Sequence, residues 1–228
     1  MSDGSGLLAA LQLSDSGLPI GRFVHSYGLE AWLHAHPDAP PEQIGELVEA
    51  AVCEAVAPLD GAVVAQAHRA ISIGELVALD ACLTARKLSP AARAASQSCG
   101  RRLAVLAPQL AVDDLLVIEL TRSVEAREAD GNLAVVAGTL ARALAVPVLD
   151  AVLVELRGVA AALLSAAVRL GALTPTRAQA LLSGLVPAVV RAANEALELT
   201  PGDLSSTAPE LELFALAHPR ADVRLFAS

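Results

Sequence analysis

Two stretches decide the fold class. Leu133–Ala145 reads LAVVAGTLARALA, and Pro147–Leu170 reads PVLDAVLVELRGVAAALLSAAVRL. Arg142 is the only charge in the first, and Val159–Val168 carries none. Ala and Leu are strong helix formers, and the β-branched runs are short, so both stretches are expected to be α-helical. A helix that is apolar on more than one face must be buried on more than one face. A chain of 228 residues has room for one such helix at its centre. Several in succession between Leu133 and Val190 point to partner surface completing the burial. The alternative is an Ala-rich bundle core, in which small side chains let helices approach closely.

Working outward, breakers and caps divide the chain into roughly ten helices, an all-α single-domain bundle over residues 1–228. Residues 1–5 read as a frayed start. A helix over about Leu7–Leu13 leads into a loop, Ser14–Arg22, broken by Gly17, Pro19 and Gly21. Ser26 is expected to cap a helix to about His36. Pro41 sits well in the first turn of the next, to about Ala57, because its missing N–H is not needed there. Pro58 and Gly61 predict a break or kink before Ala62–Ala70. Ser72-Ile-Gly-Glu75 reads as a capping box for a helix to about Arg86, and Ser89-Pro90 opens another to about Leu106. Asp113 or Asp114 starts the next, where the helix dipole favours an acidic side chain. Asn132, Pro147 and Thr174-Pro175 start three more, with a kink expected at Pro187. Thr200–Ala208 has the composition of a linker, Pro209–Ala217 of a last short helix, and residues 218–228 of a tail.

Composition narrows the function classes. Hydrophobic residues make up 54% of the chain and mean hydropathy is +0.54. The longest run free of Asp, Glu, Lys and Arg is about 13 residues, Ala178–Val190, against the roughly 20 of a bilayer span. No membrane span and no signal peptide are expected, which implies a cytoplasmic location. Asp and Glu number 25 against 16 Lys and Arg, a formal charge of −9. That balance repels phosphate backbones and argues against nucleic-acid binding. Cys53, Cys82 and Cys99 form no C-x-x-C pair, and three buried thiols in a reducing compartment are expected.

Candidate chemistry is sparse. His25, His34 and His36, with Glu30 one turn from His34, offer imidazole and carboxylate groups suited to nickel or zinc. Yet positions 34 and 36 of one helix lie about 200° apart, which hinders a shared ion. His68 reads as a surface or packing residue. There is no G-x-S-x-G, P-loop or G-x-G-x-x-G, and no enzymatic constellation is apparent. Aromatics are more informative. Three of the five, Phe23, Tyr27 and Trp32, fall in one segment, and Phe226 stands near the end. Aromatics anchor protein contacts or fill core gaps.

That segment carries a resemblance. Leu11-Gln-Leu-Ser-Asp-Ser-Gly-Leu-Pro-Ile-Gly21, continuing Arg-Phe-Val-His-Ser-Tyr-Gly-Leu-Glu30, resembles the N-terminal signature of the urease accessory protein F (UreF) family. Further matches follow in order: Arg93 through Gly100 to Leu103, Asn132 through Gly138, Ser165-Ala-Ala-Val-Arg-Leu170, and Arg224-Leu-Phe-Ala-Ser228. The chain departs from the pattern at Asn132, where the family usually has His, at Pro219 in place of Glu, and at Arg22 in place of a small residue. Residues 172–179 keep only Leu173 and Gln179 of the usual pattern.

The resemblance implies an all-α, non-enzymatic homodimer without a cofactor of its own. It implies binding to urease accessory protein D (also called H) and recruitment of the nickel-carrying GTPase, urease accessory protein G. The assembly would dock on apo-urease and load its nickel. By the same resemblance Leu18, Pro19, Ile20, Gly21, Tyr27 and Trp32 are candidate contact residues, with Arg224, Leu225 and Phe226 as anchors in the tail.

Overall fold

The computed structural model describes residues 4–22, 28–111, 113–207, 210, 211, 213 and 214. Among them the chain forms eleven α-helices and no strand: α1 Ser5–Ser14, α2 Leu29–Ala35, α3 Pro41–Ala50, α4 Ala62–Arg69, α5 Ile73–Arg86, α6 Pro90–Leu110, α7 Leu115–Glu125, α8 Leu133–Ala143, α9 Val148–Arg169, α10 Pro175–Gly184 and α11 Val186–Ala196. A π-helical segment, Ala51–Gly61, joins α3 to α4. The architecture is the expected all-α bundle.

Caps set the helix starts. Ser72 Oγ accepts the Glu75 N–H at 3.3 Å, and Glu75 Oε2 accepts the Ile71 N–H at 3.1 Å, which satisfies one donor of the first turn of α5 and one just ahead of its cap. Ser89 Oγ accepts Ala92 N–H, Asp114 Oδ1 accepts Val117 N–H and Thr174 Oγ1 accepts Arg177 N–H. α1 begins at Ser5, two residues ahead of expectation, after Gly4 at φ 81°. α2 begins after Gly28, at φ 89°; Ser26, the expected cap, lies outside the described residues.

Pro58 does not break the chain's course. A proline inside an α-helix withdraws the N–H that would reach the carbonyl four residues back, and its ring crowds that carbonyl. Here the helix widens to π geometry around Pro58, and α3 runs on into α4 without interruption. The Glu54 carbonyl, four residues before Pro58, accepts instead from Thr207 N–H at 3.0 Å and Thr207 Oγ1 at 2.9 Å. Ser205 N–H donates to the Pro58 carbonyl at 3.3 Å. The stretch expected to be a linker is therefore a strap laid on this segment. Leu204 is buried in it, and Arg86 clamps it by donating to the carbonyls of Leu204 and Pro201. Pro187 also differs from expectation. It starts a helix rather than kinking one, because α10 ends at Gly184 and Pro187 falls in the first turn of α11. Pro108 is accommodated in the last turn of α6, which extends to Leu110.

The core sits around α8, which packs on α4, α6 and α9. Leu133–Val136 and Gly138–Ala141 are buried. Close approach depends on missing side chains. A Cβ at Gly138 would lie 2.9 Å from Ala67 Cβ and 3.1 Å from the Val64 carbonyl carbon. A Cβ at Gly100 would lie 2.6 Å from Leu133 N and 2.7 Å from the Asn132 carbonyl carbon, inside the backbone that opens α8. The fold thus sheathes α8 with its own chain, and the expectation that a partner must complete burial there is corrected. One premise of the membrane expectation, the length of the uncharged runs, needs a correction. α9, with 22 residues, is long and apolar enough to cross a bilayer; Asp150, Glu155 and Arg157 hid this from a count of uncharged runs. Of its apolar window 67% is packed inside the protein, as in a core helix. Of the thiols only Cys99 is buried; Cys53 and Cys82 are half-buried.

At the start of α8, Asn132 is fully buried and bound to Asp80. Its N–H and Nδ2 donate to Asp80 Oδ1, both at 2.8 Å, while Gly131 N–H donates to Oδ2 at 2.9 Å. An amide thus supplies donors where the family pattern has an imidazole. The packing at Gly100 yields a test: Gly100→Ala should lower unfolding free energy by about 1–3 kcal/mol through overpacking, read from urea melts with an unchanged slope.

Candidate partner-docking surface

The loop after α1 is shaped by short-range bonds. Asp15 Oδ1 accepts Gly17 N–H at 2.6 Å, an Asx turn, and Ile20 N–H donates to the Leu18 carbonyl at 2.8 Å across Pro19. Gly21 has φ 81°, a conformation that favours glycine. The next residue fixes the loop to α9. Arg22 Nη2 meets Glu155 Oε2 at 2.5 Å and Nη1 donates to the Glu155 carbonyl at 3.2 Å, with both side chains almost wholly buried. Gly158, one turn on, leaves the space that the guanidinium occupies. Nearby, burial pushes the Cys99 thiol above its ordinary value; Arg22 opposes this and Glu155 adds to it.

Of the candidate contact residues, Leu18 and Gly21 are half-buried and Pro19 is exposed. Ile20 and Trp32 are interior, 5% and 1% exposed. They hold the loop and α2 in place from below. Trp32 Nε1 donates to Glu210 Oε1 at 2.6 Å, the Trp32 ring stacks on His36 at 4.5 Å, and His36 meets Phe214 edge-on at 5.9 Å. This ties α2 to the helical turn containing Glu210 and Phe214. Tyr27, Arg224, Leu225 and Phe226 lie outside the described residues, as does His25. His34 is exposed, and His36 has Nδ1 on the Trp32 carbonyl at 2.9 Å. No three His, Cys, Asp or Glu side chains gather into a metal-holding group among the described residues. His68 is a packing residue, its Nε2 on the Val146 carbonyl at 2.8 Å.

The surface that sequence reasoning missed lies beside this loop. A groove of about 990 Å³ runs along α9, between α1 on one side and α10 with α11 on the other. Leu153, Val154 and Leu164 line its floor, Leu11 and Val186 its walls. Leu7, Leu8 and Leu11 of α1 are 57–68% exposed, and Val186 and Val190 of α11 are 55% and 40% exposed. Asp15, Asp150 and Arg157 are the charged residues of the lining. Clustered exposed apolar side chains with a polar rim mark interaction surfaces. The signal was available: Ser5–Ser14 contains no charge at all, so neither side of α1 is marked for water.

Comparison with known proteins decides the family. The UreF family model matches residues 39–186. The chain belongs to the UreF family. It is 29% identical over 221 residues to urease accessory protein UreF of Corynebacterium efficiens, covering 97% of this chain and 96% of that one. It is 32% identical over 224 residues to urease accessory protein UreF 2 of Brucella abortus, covering 97% and 91%. To UreF of a Bacillus species, strain TB-90, it is 30% identical over 225 residues, covering 97% and 99%. The UreF model begins after the N-terminal signature, but these relatives align across nearly the whole chain. As a UreF protein it has a urease accessory role and is not itself a catalyst.

Arg22, which departs from the UreF pattern, makes this chain's loop anchor testable. Arg22→Ala strands the Glu155 carboxylate and should cost about 3–5 kcal/mol, whereas replacing both residues by apolar ones should recover most of the loss. Chemical denaturation of the single and double variants measures both.

Proposed function

We propose that this protein is a scaffold of urease maturation. It would associate as a homodimer with urease accessory protein D (H), hold the GTPase urease accessory protein G, and present it to apo-urease in the cytoplasm so that nickel is inserted. The observation that carries this is likeness to urease accessory proteins along nearly the full chain. The physics is consistent with it. The described polar side chains of the interior are mostly paired with one another, while α1 and α11 leave apolar surface uncovered on one face. Burying such surface stabilises a complex by roughly 25 cal/mol per Å². On this reading Leu18–Gly21 and the groove beside them form one contact region. Tyr27 and Trp32 would contribute to the same contact, and Arg224, Leu225 and Phe226 would form a second one in the tail. The chain itself contributes shape and affinity rather than metal ligands.

The experiment is co-purification of the tagged chain with accessory proteins D and G. Both should be retained. Leu11→Asp should lower capture of D about tenfold or more, as expected for a charge placed in an apolar contact, and Arg224→Ala should lower capture of G. Circular dichroism should be unchanged in both variants. A well-expressed, folded chain that retains neither protein would rule the proposal out.

A further inference from the structure

A second cavity, of about 130 Å³, lies apart from the groove. It is bounded by the π segment, the start of α6, α9 and the strap. Its apolar wall includes Leu88, Ala92, Val159, Leu163 and, from beyond the strap, Leu211. Its polar wall is already engaged. Lys87 Nζ meets Asp60 Oδ2 at 2.7 Å, both nearly buried. Glu155 is held by Arg22. Ser89 Oγ accepts Ala92 N–H, and Ser96 Oγ accepts Leu133 N–H. The other polar side chains of the wall are Ser206, on the strap, and the Cys99 thiol, a weak donor that burial pushes above its ordinary value.

Size and chemistry together identify a guest. Water enters a cavity when two to four polar partners are free to hold it, and apolar cavities near 150 Å³ stay dry and take benzene or xenon. A charged guest would find the wall's charges already neutralised by one another. We propose that this cavity is a binding site for one small neutral apolar molecule, of the size of a single aromatic ring. Because Ser206 and Leu211 help to close it, the guest also holds the strap. The bonds from Ser205 and Thr207 to the Pro58 and Glu54 carbonyls stay closed longer when the cavity is filled. The site needs no partner protein, so it stands or falls independently of the accessory role.

Toluene is the probe, with the full-length chain carrying 13C-labelled methyl groups. Titration should shift the methyl signals of Val159 and Leu163 saturably and slow amide exchange at Ser205 and Thr207. Ala92→Leu, which fills the cavity, should weaken toluene at least tenfold while the rest of the spectrum is retained. Absence of saturable shifts in the folded, unaltered chain would overturn the proposal, as would unchanged affinity in folded Ala92→Leu. Unchanged amide exchange on saturation would overturn the coupling to the strap. Xenon pressure on the unaltered chain covers the case in which Ala92→Leu does not fold. The same methyl signals must respond to xenon, and silence there counts against the site.

Discussion

The structure depends on how closely backbones can approach α8. Two glycines set that distance, and a third seats the loop anchor. Gly138 lets α4 lie against α8 at Val64 and Ala67, Gly100 lets α6 meet the first turn of α8, and Gly158 makes room on α9 for the Arg22 guanidinium. Side chains of Ala and Val then fill the short distances that remain. This is why a chain with only 2% aromatic residues still buries most of its central helix. Interiors pack at the density of organic crystals, and small residues reach that density by bringing helices together rather than by filling gaps with rings.

The second constraint is proline's missing donor at position 58. In most helices such a residue ends the element or bends it. Here the widened π turn and the strap solve the problem jointly, since Thr207 gives the Glu54 carbonyl the donors that Pro58 cannot. The consequence reaches beyond one bond. The strap is drawn against the π segment, Leu204 and Leu211 are buried, and the chain is led to Glu210, which meets Trp32. A local defect in one helix thus organises the contact between the end of the described chain and α2, only a few residues after the loop that Arg22 anchors.

What could be read from the sequence was local. Ser72, Ser89, Asp114 and Thr174 announce helix starts because capping needs only a side-chain oxygen and an amide three residues away. The apolar blocks gave the all-α class for the same reason. Arg22 and Glu155, 133 residues apart, could not be paired by any periodicity, and Arg22 stood out only as a departure from a family pattern. The π segment was invisible because its remedy, Thr207, is remote from Pro58. Trp32 stood out as an aromatic of either role, surface anchor or core filler, and only its neighbours show it 1% exposed. The groove was misplaced for a related reason. Apolar content was greatest in α8 and α9, yet α8 is covered by its own chain and α9 is mostly packed inside, one side forming the floor of the groove. Uncovered surface falls instead on α1 and α11, at the edge of the bundle.

That displacement carries the functional logic. Hydrophobic burial is roughly proportional to area and indifferent to direction, so a chain rich in Ala and Leu satisfies its most apolar helices first, at the centre. The remainder is left where the bundle has no further layer to add. For an enzyme the decisive groups would be polar side chains converging in a cleft. In this protein the described polar interior is occupied by fixed pairs, Arg22 with Glu155, Lys87 with Asp60, Asn132 with Asp80, which hold loops and helix starts in register. Chemistry of that kind gives a surface its shape. An accessory protein needs a rigid face whose apolar groups are uncovered until another subunit arrives. A loop tied to the core by a buried ion pair, beside a helix without charge, supplies both properties at one edge of the fold.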